Sequence, residues 1–335
     1  MKLKFEDIVS QLKKGNFAQV YFMVGEEPWF ADYITDYIAK HAIKEEEKAF
    51  NQTILYGRDI TAMDIVHEAR RYPMMAPRQV VIVKEAQNIK DFDPLATYLE
   101  APAPTTILVI NYRAKFDQRT KTWKALNKKE FITLETKKLY DNQVGPWINN
   151  YLTKMGLNIE PKANVMLVDH LGTKLGNIVK ALDKLKVAVG KDVKIITPKH
   201  VEDYIGISKD FNNFELQNAI IRGDVVKANQ IVRIFGQNPN EYPMVLTIGV
   251  LFHFFRKLLV YIVTPDKSDR NIASVLGIPP FFVKDYRAAA RRFNWQKSRQ
   301  VISLLREYDM RSKGFNNNSA SDGDLLQELV FKIMH

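Results

Sequence analysis

Hydrophobic positions along the first 138 residues follow two alternating rhythms. Short apolar runs at 18–24 (AQVYFMV), 49–56 (AFNQTILY), 78–85 (RQVVIVKE), 105–112 (TTILVINY) and 131–135 (FITLE) read as strands. Between them, segments near 28–43, 61–71, 91–100 and 117–127 carry apolar residues at helical spacing. Strands alternating with helices of that length predict a mostly parallel sheet covered on both faces. The runs VVIV and ILVI lack polar alternation, so they are expected at its centre.

Beyond Lys138 the strand rhythm nearly stops. QVGPWINNYLTKMG, PKANVMLVDHLG and TKLGNIVKALDKLKVAVG read as helices, the last with Leu175, Ile178, Val179, Leu182 and Leu185 at helical spacing. ITPKHVEDYI opens with Thr197 as a cap and Pro198 at the first helical position. In FNNFELQNAIIRGDVVKANQIVRIFG, Gly223 stops one helix and Asp224 caps the next. Helices follow at 241–263 and in NIASVLGIPPFFVKDYRAAARRF, WQKSRQVISLLREYDMRSKG and DLLQELVFKIM, with a polar loop at 315–324. The expected organisation is an α/β domain over 1–138, a small helical unit over 139–206 and a larger helical domain over 207–335. No internal repeat is visible.

Composition narrows the chemistry. The 335 residues are 46% apolar, enough for more than one core. Lys and Arg outnumber Asp and Glu, 49 to 38, and the net charge of +11 favours polyanionic partners, nucleic acid above all. There are no cysteines, which excludes disulfides, thiolate metal sites and cysteine nucleophiles. The N-terminal MKLKFEDIVSQLKKGN lacks the apolar core of a signal peptide. The most apolar run, MVLTIGVLFHFFRKLLVYIV, contains His253, Arg256 and Lys257, so a buried helix is expected there and not a membrane span. A soluble cytoplasmic protein is the expectation.

Catalytic motifs are missing where they would be diagnostic. Strand 18–24 reaches Gly25 and then a helix, the setting of a phosphate loop, but Glu26 and Glu27 follow and would repel phosphate. No Lys-Ser or Lys-Thr pair stands in the residues directly after Gly25 to reach phosphate and magnesium. The single Gly-Lys, Gly190-Lys191, lies in a helical region and is followed by Asp192. Where a magnesium-binding strand would end in two acids, this chain has Lys84-Glu85, and Glu85 reads as a solvated strand-end charge. The histidines at 41, 67, 170, 200, 253 and 335 never fall three or four apart, so no helical metal site arises. Asp36, Asp64 and Asp203 sit among polar helix-face residues. No cofactor is expected.

Two stretches carry the binding chemistry. In RRYPMMAPRQ (70–79), a helix bearing Met63, Ile65, Val66 and Ala69 is expected to run to Tyr72, because Pro73 cannot supply the next amide. Met74 and Met75 follow, and Pro77 restrains the exit into the next strand. One reading is a connector whose methionines fold onto the core, the usual fate of Met. The other is an exposed plug of Tyr72, Met74 and Met75 suited to a partner's apolar pocket. The second stretch brings Lys284, Arg287, Arg291 and Arg292, then Lys297 and Arg299, onto two neighbouring helices, with Phe281, Phe282, Tyr286, Phe293 and Trp295 interleaved. Lys284, Arg287 and Arg291 share a face. A solvated face over a buried aromatic core is the commoner meaning of such a pattern, and contact with DNA or another subunit the sharper one.

The ordered set VYFMVGEEPWFADY, helix–Pro–Met-Met–strand at 61–84, LGTKLGNIVKALDKL, NFELQNAIIRGDVVKANQIV, LGIPPFFVKDYRAAARRF and LLREYDMRSKG ahead of DLLQELVFKIM resembles the delta subunits of bacterial DNA polymerase III over nearly the whole chain. These are clamp-loader proteins that open the sliding clamp. The resemblance implies an AAA+-like fold: a P-loop-type α/β domain lacking Walker motifs, a small helical lid and a C-terminal helical collar that joins other loader subunits. It implies no intrinsic catalysis, within a DNA-directed DNA polymerase (nucleotidyltransferase) holoenzyme whose partner subunits use ATP. It also implies a position around primed DNA and no membrane contact. The family's grip on the clamp is an apolar wedge at the end of the helix before the third strand, here Tyr72-Pro73-Met74-Met75, with Met75 where a bulky aromatic is often found. The resemblance therefore turns the choice at this loop toward exposure.

Two rival readings stand beside it. One is another degenerate AAA+ replication protein, against which the missing zinc cysteines and Ser-Arg-Cys motif of a stator-like subunit count. The other is a stand-alone basic helical protein that binds nucleic acid, which would be sensitive to salt and indifferent to a clamp.

Overall fold

Alternation of buried positions on two sheet faces organises the first part of the chain. A computed structural model describes residues 3–128, 131–190, 192–317 and 319–335; Lys191 and Asn318 of the stretches discussed above lie outside the described residues. The chain forms two compact units, one of Met1–Leu139 with Lys174–Gly176 and one of Tyr140–Thr173 with Asn177–His335. In chain order the first contains α1 (Phe5–Lys13), β1 (Val20–Gly25), α2 (Pro28–His41), a short α3 (Lys48–Asn51), β2 (Gln52–Tyr56) and α4 (Ala62–Ala69). It continues with β3 (Gln79–Lys84), α5 (Asp93–Glu100), β4 (Thr106–Tyr112), α6 (Lys121–Lys128) and β5 (Ile132–Thr136).

All five strands are parallel, in the order β2-β3-β4-β1-β5. Successive strand side chains point to opposite faces. Phe22, Val24, Val81, Val83, Leu108 and Ile110 meet α4, α5 and α6 on one face. Tyr21, Met23, Val80, Ile82, Ile107 and Val109 meet α1 and α2 on the other. Burial on both faces is the reason VVIV and ILVI show no alternation.

Two local expectations shift. The apolar run at 49–56 begins as helix and becomes strand only at Gln52, because Asn51 Nδ2 donates to the Glu47 carbonyl at 3.0 Å and closes a helical turn first. The helix expected to reach Tyr72 ends at Ala69, three residues early. Its last carbonyls are taken by side chains from the sheet, described below. The N-terminal segment, read from sequence only as lacking the apolar core of a signal peptide, contains α1, with Ile8 and Leu12 buried one turn apart.

The second unit is helical apart from a parallel pairing of β6 (Asn158–Ile159) with β7 (Ile195–Ile196). Its helices are α7 (Asp141–Lys154), α8 (Pro161–Leu171), α9 (Leu175–Val189), α10 (Pro198–Ile205), α11 (Asn213–Arg222) and α12 (Val225–Gln237). Then come α13 (Met244–Val263), α14 (Asp269–Leu276), α15 (Val283–Arg292), α16 (Trp295–Ser312) and α17 (Asp322–Met334). The local punctuation acts as the sequence suggests: Thr197 caps α10, Gly223 adopts φ 72° after α11, and Asp224 Oδ1 accepts the Lys227 amide at 2.9 Å to cap α12. By length and composition alone α13 could cross a membrane. Its stripe Met244, Ile248, Leu251, Phe255 and Leu258 lies in the helical core with Phe235, Phe293, Leu305 and Leu329.

Candidate partner-docking site

The loop between α4 and β3 is pinned at its start and in its middle, and it presents its apolar side chains to water. At the start, the Thr106 hydroxyl donates to the Ala69 carbonyl at 2.8 Å. Buried Gln79 reaches back with Nε2 to the carbonyls of Arg71 (2.5 Å) and Glu68 (3.2 Å) and to Thr106 Oγ1 (3.0 Å). These bonds satisfy the Ala69 carbonyl at the helix end and the Arg71 carbonyl just past it, and add a second donor to the Glu68 carbonyl, which also accepts the Arg71 amide. Further on, Asn51 makes two hydrogen bonds with the backbone of Met74. Beyond these anchors Tyr72 is 87% exposed, Met74 53% and Met75 103%.

Met75 also has φ 51°, in the left-handed region that a side chain with a Cβ rarely occupies. The α4–β3 loop thus combines exposed apolar surface with backbone strain, and neither benefits the isolated chain. Pro73 is half-buried, and Pro77 precedes Arg78 and the strand. Because the loop leads into the start of β3, it lies at the edge of the parallel sheet where the strands begin.

The phosphate-loop position lies at the opposite edge, after β1. Gly25 has φ 136°, and a Cβ there would come within 1.9 Å of the Thr136 carbonyl oxygen, so glycine is required by the close approach of β5. Glu26 is exposed. Glu27 is buried, and its Oε1 accepts the Trp29 amide at 3.2 Å, capping α2. The anion-binding end of that helix is thereby served by the chain's own carboxylate. Burial pushes the Glu27 carboxyl above its ordinary value, with the Trp29 amide and Lys138 pulling the other way. Glu85, half-exposed at the end of β3, pairs with Arg58 at 3.4 Å.

In the second unit Lys284, Arg287 and Arg291 are exposed along one side of α15 while Phe282, Tyr286 and Phe293 are buried. Several of these cations already have intramolecular partners. Arg287 pairs with Asp269 at 2.5 Å, Arg292 Nη2 donates to the Met334 carbonyl at 2.9 Å, and Lys284 lies 4.1 Å from the Phe281 ring centroid.

A family model described as DNA polymerase III, delta subunit matches residues 21–136, and a second, for that subunit's C-terminal domain, matches residues 210–329. The chain belongs to the DNA polymerase III delta-subunit family. The DNA polymerase III subunit delta of Bacillus subtilis (strain 168) is 28% identical, over 96% of this chain and 94% of the relative. The solved structure of the Bacillus subtilis DNA clamp loader delta protein aligns over 99% of both chains with a TM-score of 0.58 and 26% identity. The α/β and all-α architecture is accordingly that of the clamp-loader delta protein, and the residues directly after Gly25 hold no Walker-type Lys-Ser or Lys-Thr.

Within this delta-family chain the first matched segment contains both the α4–β3 loop and the phosphate-loop position, and the second contains Lys284, Arg287, Arg291 and Arg292. The structure brings Tyr72, Met74 and Met75 into one exposed loop. The basic residues lie in the other unit. Residue-by-residue reading missed Asn51, Gln79 and Thr106, the side chains that hold the loop. The available signal was a run of polar residues, Asn51 and Gln52, opening an otherwise apolar strand.

Proposed function

We propose that this chain grips and opens the DNA sliding clamp during replication, without hydrolysing ATP itself. The observation that carries this reading is the exposure of Tyr72, Met74 and Met75 on a tethered, strained loop. Strain retained at a solvent-exposed apolar tip costs the free chain stability, and such costs concentrate at functional sites. Burying three large apolar side chains in a clamp pocket supplies several kcal/mol, at about 1.5–3 kcal/mol each. That energy opens a clamp interface only to the extent that the wedge binds open clamp better than closed clamp. The role is mechanical, and Glu27 at the α2 N-terminus supports it by filling the place where a nucleotide phosphate would dock.

On this reading residues 139–206 act as the lid and 207–335 as the collar that joins the other loader subunits, in a cytoplasmic complex enclosing primed DNA. Lys284, Arg287, Arg291 and Arg292 are candidate contacts to DNA or to a neighbouring subunit. The deciding experiment is calorimetric titration against the sliding clamp of the same organism, with Met74→Ala/Met75→Ala alongside. Tight wild-type binding that the variant loses by 100-fold or more, on the order of two side chains' burial, is expected. Unchanged binding by the variant removes the wedge from the mechanism. No clamp binding by wild type, together with salt-sensitive binding to free DNA, favours the stand-alone nucleic-acid-binding reading.

A further inference from the structure

We propose that Asn51 is the positioning residue of the clamp wedge, holding the Met74 backbone so that Met75 is presented before any partner arrives; this rests on the reading of the loop given above. Asn51 is 2% exposed and stands 23 residues before Met74, at the junction of α3 and β2. Its Oδ1 accepts the Met74 amide at 2.6 Å, and its Nδ2 donates to the Met74 carbonyl at 2.9 Å and to the Glu47 carbonyl at 3.0 Å. Both amide hydrogens and the carbonyl oxygen are therefore engaged. The side-chain amide replaces a neighbouring strand's peptide, pairing with both polar groups of one residue where no strand is present.

The case for positioning comes from what does not hold Met75. Its side chain is wholly exposed, so side-chain packing does not fix its direction, and its left-handed φ follows a residue whose two peptide groups are fixed by Asn51. Tyr72, at 87% exposure, lends little packing either. The Gln79 and Thr106 bonds end at Arg71, before the apolar tip begins. Asn51 is thus the buried anchor nearest that tip. Ordering the loop during folding spares the clamp complex that entropy at binding, the general advantage of a preorganised site.

The test uses the full chain and the sliding clamp of the same organism, with four proteins: wild type, Asn51→Ala, Met74→Ala/Met75→Ala, and the triple variant. Freeing the backbone of one or two residues predicts clamp affinity about 10- to 100-fold weaker for Asn51→Ala. The triple variant should bind no worse than the methionine pair alone, because Asn51 acts through those side chains. Hydrogen exchange at the Met74 amide should be slow in the free wild-type chain and become fast in Asn51→Ala. A general loss of folding would not produce that non-additive pattern.

If the methionine pair weakens binding while Asn51→Ala stays within about twofold of wild type, the positioning role is overturned and the wedge stands. Equal weakening by Asn51→Ala in both backgrounds overturns it as well, since Asn51 would then act elsewhere. Wild-type binding by the methionine variant overturns the wedge and this inference together. Should Asn51→Ala fail to fold, isosteric Asn51→Asp keeps an acceptor for the Met74 amide and loses the donors to Met74 and Glu47. It is expected to bind more weakly with faster Met74 exchange, and wild-type values of both would refute the proposal.

Discussion

Replacing Met75 with asparagine should move stability and clamp binding in opposite directions. Met75 sits at φ 51° and is fully exposed, so folding buries none of its side chain while the backbone bears left-handed strain. That strain is about 1–2 kcal/mol for an ordinary residue and smaller for asparagine, which bonds locally in this conformation. Met75→Asn should therefore raise stability by about 0.5–1 kcal/mol, or a melting temperature roughly 1–4 °C higher for a unit of this size. In the complex it forfeits burial of one methionine, about 1.5–3 kcal/mol, which is a Kd about 10- to 100-fold weaker. Thermal denaturation and calorimetric titration of the same preparation read both quantities. A variant that melts lower and binds the clamp normally would show that Met75 supports the fold and takes no part in docking.

Three further outcomes follow from the geometry. Glu27→Gln keeps an oxygen to cap α2 and removes a buried charge, so it should be more stable than wild type near neutral pH. The folded Glu27 carboxyl lies above its ordinary 4.5, so wild-type stability falls as pH rises through 4.5 toward that folded value, and the gap in chemical denaturation should close below pH 4.5. Gly323→Ala would set a Cβ 2.8 Å from the Gly236 Cα where α12 and α17 cross, and overpacking of this kind costs about 1–3 kcal/mol, measurable as a lower urea midpoint for the helical unit. Glu328 is held down at about 2 from 4.5 by hydrogen bonds with Lys332 and Tyr308, so its contribution is complete above pH 4.5 and fades as pH falls toward 2. The melting difference between wild type and Glu328→Gln should shrink accordingly between pH 6 and pH 2.5, and a difference constant across that range would show that the ion pair does not contribute.

Much of the framework was legible because it is local. VVIV and ILVI announce central strands, since burial on two faces removes polar alternation. Thr197, Pro198, Gly223 and Asp224 act where they stand, because caps and stops depend on residues at most a few positions away. The acidic pair Glu26-Glu27, where a phosphate loop would carry uncharged or basic residues, is visible in the sequence alone. That Glu27 turns inward to cap α2 is not, since the bond depends on the path taken after Gly25. The length of α4 was misjudged for a related reason: its end is set by Gln79 and Thr106, which reach it from β3 and β4.

The sequence by itself determined the alternation of strands and helices, the helical character after Lys138, the excess of positive charge and the acidic pair Glu26-Glu27 after Gly25. Periodicity, charge and capping chemistry act over a few residues, so these features need no knowledge of the fold. The tertiary structure decided whether Met74 and Met75 face the core or the solvent. Their composition favours burial, and the loop is held outward by a bond between residues 23 apart that forms only when the end of α3 comes beside the loop leading into β3. A hydrogen bond between distant residues leaves no period in the sequence, which is why the anchor at Asn51 emerged only from the folded chain.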